Sequence, residues 1–222
     1  MPVWQAFWNA LYETFGGRVN WALTVIPALI VGFTLHEYAH AWMAVRLGDP
    51  TPRWQGRLTL NPLRHLDPIG TLLVFVAFVG WAKPVVWNPG NLRVSRRLGT
   101  ILVAAAGPVS NLFLAVLGAI LLRAVAPYIP LEGTGILPGP GTILVTFVVF
   151  NVLLFVFNLI PLPPLDGFAI LSNLAPPGWY ALVETLRQYG TLILIVLLFL
   201  PGSPLYTLIQ GLVWGISTAL LR

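Results

Sequence analysis

"WALTVIPALIVGFTLHEYAHAWMAVRLG", residues 21–48, is an apolar run that exceeds the roughly 20 residues a helix needs to cross a bilayer. Its second half carries His36, Glu37 and His40. Ionisable side chains at membrane depth are costly and mark functional sites. Pro27 lies in the first half and is expected to kink the helix. The reading of this stretch fixes two things together: a spanning helix, and a polar site inside it.

The rest of the chain agrees with a membrane protein. Of 222 residues, 57% are hydrophobic and only 9% are charged, against about 25% charged in a soluble domain. One membrane-embedded domain over residues 1–222 is expected, with the lipid bilayer as its surroundings. The net charge is +5. Its Lys and Arg residues sit mostly in two loops, which fits positive-inside topology and not nucleic-acid binding. There is no Cys, which excludes disulfides, thiolate metal sites and a cysteine nucleophile. The first seventeen residues lack Lys and Arg, so no signal peptide is expected.

Within the single domain, residues 1–18 read as an interfacial segment, Trp- and Phe-rich but too short to span. Residues 19–167 are expected to form the core that carries this polar site, and 168–222 a pair of C-terminal helices broken by "PGSP". Further spans are expected over 97–126 and 142–167. The fold class is all-α multi-pass, with about five to six transmembrane helices. A short β-hairpin or re-entrant loop follows the first span, because "RWQGRLTL" (53–60) alternates like a strand. The apolar run Ile69–Trp81 is too short to cross and reads as re-entrant. If so, Arg46, Arg53, Arg57, Arg64, Lys83, Arg93, Arg96 and Arg97 all lie on one side. That side is expected to be cytoplasmic.

His36 and His40 are four apart and share one helix face, so both rings can reach one metal ion. Glu37, next to the first His, is placed to act on a water that the metal activates. This is the HExxH arrangement of two ligands and a general base. Catalytic zinc usually takes three protein ligands, and the acidic inventory is short. Asp166 follows a long apolar span in the broken segment "NLIPLPPLDGF" (158–168). His65 is the competing third ligand. A structural histidine pair with Glu37 as acceptor is the bland alternative.

With "HEYAH" (36–40), "NLIPLPPLDG" (158–167), "AGPVSN" (106–111) and "GWAKPVVWNP" (80–89) in this order, the chain resembles the site-2 protease family of intramembrane zinc metalloproteases. The resemblance covers most of residues 30–170. It implies one Zn2+ per chain held by His36, His40 and Asp166, with Glu37 as the base. It also implies that Asn158 stabilises the oxyanion or orients the substrate, against a helix–helix hydrogen bond as the alternative. Asn111 divides between substrate-side cavity lining and helix packing, and Gly107 and Pro108 serve close packing or a kink. Many family members carry a further N-terminal helix, and several carry PDZ or CBS domains, for which there is no room in 222 residues.

The resemblance implies an intramembrane endopeptidase of the cell membrane, its active site towards the cytoplasm. The substrate would be a transmembrane segment of a membrane-anchored protein, in regulated intramembrane proteolysis. Residues 53–60 or "KPVVWNPG" (83–90) would pair with the unwound substrate or plug the cavity. The rival reading is a non-enzymatic metal carrier or channel, which would show several His or Asp positions along a path. The sequence leaves the substrate, the gate and the oligomeric state open.

Overall fold

The computed structural model describes residues 15–77, 80–130, 133, 137–200 and 202–222. Within these, helix α1 (Phe15–Arg46) is followed by a single helical turn, α2 (Thr51–Trp54), and a short helix, α3 (Pro68–Ala77). Then come α4 (Arg96–Val125), α5 (Pro140–Asn158), α6 (Asp166–Leu174), α7 (Tyr180–Phe199) and α8 (Pro204–Leu221). Five helical stretches are long and apolar enough to cross a membrane: Asn20–Arg46, Arg96–Tyr128, Pro140–Asn158, Pro177–Phe199 and Pro204–Leu221. Residues 1–14 of the expected interfacial segment lie outside the described residues, and Phe15 to Arg18 already belong to α1.

Helices α1, α4 and α5 pack on one another, and α6 lies against α4. Side by side in space, His40 meets Val103 and His36 meets Asn111, so α1 and α4 run antiparallel. Ala115 and Ala119 of α4, Val148 and Val152 of α5, and Ile209 and Val213 of α8 form the main apolar cluster. Small residues on α4 allow the close helix approach that membrane packing relies on. Helix α7 contacts mainly α8 and leaves Leu192, Ile195, Val196 and Phe199 exposed, a face suited to lipid. The expected boundary at 167/168 falls inside α6, which packs with the core.

The β-hairpin expectation is corrected by the structure. Among the described residues there is no strand, and an isolated bridge joins Leu66 to Ala82. The alternation in residues 53–60 has another cause. Thr51 and Pro52 open a helical turn, Gly56 takes a φ of +67°, and Arg57 turns inward. The Arg57 guanidinium donates to the carbonyls of Arg64, Lys83 and Pro84. A buried cation, not a sheet, organises this loop.

The excursion through α3 leaves and returns at one place. Lys83 N–H donates to His65 C=O (2.7 Å) next to the Leu66–Ala82 bridge. At ten residues, α3 is about 15 Å long, half a hydrocarbon core. Arg93 N–H then bonds Leu47 C=O (2.7 Å) at the C-terminal end of α1. The two basic loops therefore share one end of the bundle. Asp49 ties them together: its carboxylate accepts from Thr51 N–H and Oγ1, Asn88 N–H (2.6 Å) and Asn91 Nδ2 (2.8 Å). Burial alone would push this carboxyl up, but those hydrogen bonds outweigh it and hold it below the ordinary carboxylate range.

Candidate metal centre

His36 and His40 face α4 at a point where that helix offers unusual room. Gly107 has no side chain, and Pro108 has no N–H to give the Ala104 carbonyl. A Cβ built on Gly107 falls 2.6 Å from His40 Cε1 and 2.7 Å from His36 Cε1, and closer still to His40 Nε2. The two rings occupy that space edge to face, their centroids 4.6 Å apart.

Asp166 arrives from the other side. Helix α5 ends at Asn158, and the Pro-rich stretch 159–165 turns back so that Asp166 opens α6. Arg97 Nη2 donates to Leu174 C=O (3.0 Å), tying the far end of α6 to the start of α4. Asp166 Oδ2 then lies 3.2 Å from His36 Nε2 and 3.3 Å from His40 Nε2. The two Nε2 atoms are 3.0 Å apart.

The protonation pattern of this triangle is decided from behind. His40 Nδ1 is 2.7 Å from Val103 C=O, an acceptor only, so Nδ1 carries the proton. His36 Nδ1 is 2.7 Å from Asn111 Oδ1, which likewise accepts. In the neutral imidazoles both Nε2 atoms therefore present bare lone pairs, and Asp166 Oδ2, buried and otherwise without a hydrogen bond, presents a third. Three converging acceptors repel unless a cation sits among them. A tetrahedral zinc with ligands at about 2.0–2.1 Å holds those ligands about 3.3 Å apart, which matches the triangle. Among the described residues, His36, His40 and Asp166 are the one group of three ligating side chains close enough to share a metal.

The remaining expected residues separate. Glu37 is buried beside this group, and its Oε2 accepts Val85 N–H (2.9 Å) from segment 82–88, which forms no helix. His65 is fully buried elsewhere, with Nε2 on Thr59 C=O (2.8 Å), and is not in the metal group. Asn158 is half-buried at the end of α5 and donates from Nδ2 to Leu154 C=O of its own helix (2.9 Å). It makes no hydrogen bond to Glu37 or to the three ligating side chains. Asn111 is fully buried behind His36, with its amide committed to protein groups.

Sequence reasoning passed over Asn151, Arg57 and Asp49. Asn151 is a lone amide in the apolar helix α5, and that is a readable sign of an internal polar contact. Arg57 and Asp49 looked like ordinary loop charges, and nothing local distinguishes them from exposed neighbours.

Among curated proteins, the chain is 46% identical over 183 residues to "Putative zinc metalloprotease YwhC" of Bacillus subtilis, a match covering 80% of each chain. It is 32% identical over 187 residues to "Putative zinc metalloprotease Rip2" of Mycolicibacterium smegmatis, covering 81% of this chain and 68% of that protein. It is 32% identical over 183 residues to the protein of the same name from Mycobacterium tuberculosis, covering 80% of this chain and 67% of that protein. No family model and no solved structure matches the chain.

Proposed function

From the premise that the chain belongs to the site-2 protease family of membrane zinc metalloproteases, with zinc as its cofactor, we propose that it is an intramembrane endopeptidase. It would hydrolyse a peptide bond in or near the transmembrane segment of a membrane-anchored protein. The observation that carries this reading is the triangle of three bare acceptors, with a buried carboxylate, Glu37, next in sequence to the first of them. His36, His40 and Asp166 would hold the zinc ion. When bound there, zinc supplies Lewis acidity, drawing the pKa of a water from 15.7 towards about 7.

Glu37 takes a proton from the attacking water and returns it to the departing amine nitrogen. The Val85 N–H on Oε2 fixes the carboxylate and leaves Oε1 for that transfer. Segment 82–88 is held at its start by Arg57 on the Lys83 and Pro84 carbonyls and at its end by Asn88 on Asp49. Anchored in this way beside Glu37, it would offer its backbone to an unwound substrate by strand addition. Burial of the site excludes bulk water and strengthens each charge interaction within it.

His40 lies six residues before Arg46, so the zinc site is about 9 Å from the basic end of α1. That end is taken as cytoplasmic, because the basic loops converge on it. The chemistry would thus lie at shallow membrane depth on the cytoplasmic side of the cell membrane, and its use would be regulated intramembrane proteolysis. The test is co-reconstitution with a single-span reporter and mapping of the new termini by mass spectrometry. A cut within or beside the reporter's membrane segment supports the reading. Cuts confined to its soluble part, or none, contradict it.

A further inference from the structure

His40 and His36 differ in what holds them. Behind His40 stands a backbone carbonyl, which can only accept. Behind His36 stands the Asn111 amide, which could present either its oxygen or its NH2 group. If the amide turned, His36 would carry its proton on Nε2 and could not ligate a metal.

Two further contacts prevent that turn. Asn111 Nδ2 donates to Gly32 C=O (3.1 Å) and to Asn151 Oδ1 (3.1 Å). Asn151 in turn donates from Nδ2 to Phe147 C=O (2.9 Å), so its oxygen is the end that faces Asn111. The chain of bonds has a direction, because both of its terminal acceptors are backbone carbonyls. Asn111 and Asn151 are fully buried. Gly32 belongs to the same device: a Cβ there would lie 3.1 Å from Asn151 Oδ1 and 2.9 Å from Leu154 Cδ1. Burying two amides in apolar helices is costly unless every polar atom is partnered, and here the partners are ordered towards one ring nitrogen.

We propose that Asn111 and Asn151 are positioning residues which, through this ordered relay from Phe147 C=O to His36 Nδ1–H, fix His36 in the tautomer that can bind zinc. The proposal rests on His36 being a zinc ligand. Outer partners of metal-bound histidines typically govern about 10–100-fold in metal affinity.

The experiment measures zinc affinity by chelator competition on the detergent-purified full chain. Asn111→Leu keeps the volume and removes the acceptor, and zinc binding is expected to weaken about tenfold or more. Asn111→Asp keeps an oxygen for His36 Nδ1–H but cannot donate to Gly32 or Asn151. It is expected to stay within about threefold of the parent, as carboxylate–histidine–zinc pairs do. A helix-packing role predicts the opposite, with Asn111→Asp as weak as Asn111→Leu, and that result overturns the relay. Asn151→Leu is expected to weaken zinc by less than Asn111→Leu, since Gly32 still holds the amide. If Asn111→Leu is not recovered folded, Asn151→Leu weaker than Asn111→Asp supports the relay, and the reverse order overturns it. His36→Ala separates the two layers. Zinc retained in His36→Ala removes the ligand assignment and the relay with it. Zinc lost there but retained in Asn111→Leu removes the relay alone.

Discussion

Gly107→Ala adds one carbon atom at the metal centre and almost nowhere else. The new Cβ would stand 2.6 Å from His40 Cε1 and 2.7 Å from His36 Cε1. Carbon atoms in contact settle at about 3.5 Å or more, so each ring must withdraw by about 0.8–0.9 Å. Zinc–ligand distances tolerate only about 0.2 Å. Both histidines are buried and tied behind to Val103 and Asn111, so neither can retreat freely. Alanine is also the better helix former, by about 1 kcal/mol, which opposes any general weakening of α4. The expectation is an inserted, folded protein with little zinc and turnover reduced on the order of a hundredfold, the scale of a 1 Å misplacement. Zinc content, cleavage of a single-span reporter and the thermal midpoint would be read from one preparation. Gly118→Ala on the same helix is the control. Its Cβ would meet the Phe147 and Val148 side chains first, at 2.9 and 3.1 Å, away from the metal centre. Full zinc and normal turnover in Gly107→Ala would refute the placement of the histidines against α4.

Asp166→Ala is expected to remove most of the bound zinc while His65→Ala keeps it, measured by metal analysis of purified protein; the reverse pattern would make His65 the ligand. Cysteines introduced at Arg53 and Arg93 should both label with impermeant reagent from the cytoplasmic side, since Arg93 is bonded to Leu47 at the end of α1; labelling from opposite sides would overturn the shared basic end. Asp49→Ala strands donors from Thr51, Asn88 and Asn91 and should cost about 2–4 kcal/mol in denaturant or thermal unfolding. Because the Asp49 carboxyl is held below its ordinary value, its contribution is present above the unfolded pKa. It is lost as the pH falls through the lower folded value, so wild type and Asp49→Asn should begin to converge in stability as the pH drops below about 4.

Much of the site was readable because its logic is local. The spacing of His36 and His40 sets them on one face before any tertiary contact exists. Asp166 stood out because few acids occur in so apolar a chain and only this one follows a span in broken backbone. The spans were legible because long apolar runs have one solution in a bilayer. What escaped depends on partners distant in sequence. The alternation of residues 53–60 imitates a strand, yet the structure uses it to bury Arg57 against carbonyls at residues 83 and 84. Asn111 could be seen as polar and inward, but which atom faces His36 is set by Asn151 from a third helix. Gly107 reads as a packing glycine until the two imidazoles are placed against it.

Glu37→Gln tests the central claim most directly. The carboxamide keeps an oxygen for Val85 N–H and the same volume, but it cannot take a proton from water. Zinc content and membrane insertion should be near normal. Cleavage of a single-span reporter should fall by at least about a hundredfold, within the range general-base assistance supplies. A purely structural Glu37 predicts weakened insertion instead, and a metal carrier predicts altered zinc movement with no cleavage by either form. Unchanged cleavage by a properly inserted, zinc-loaded Glu37→Gln protein would contradict the mechanism.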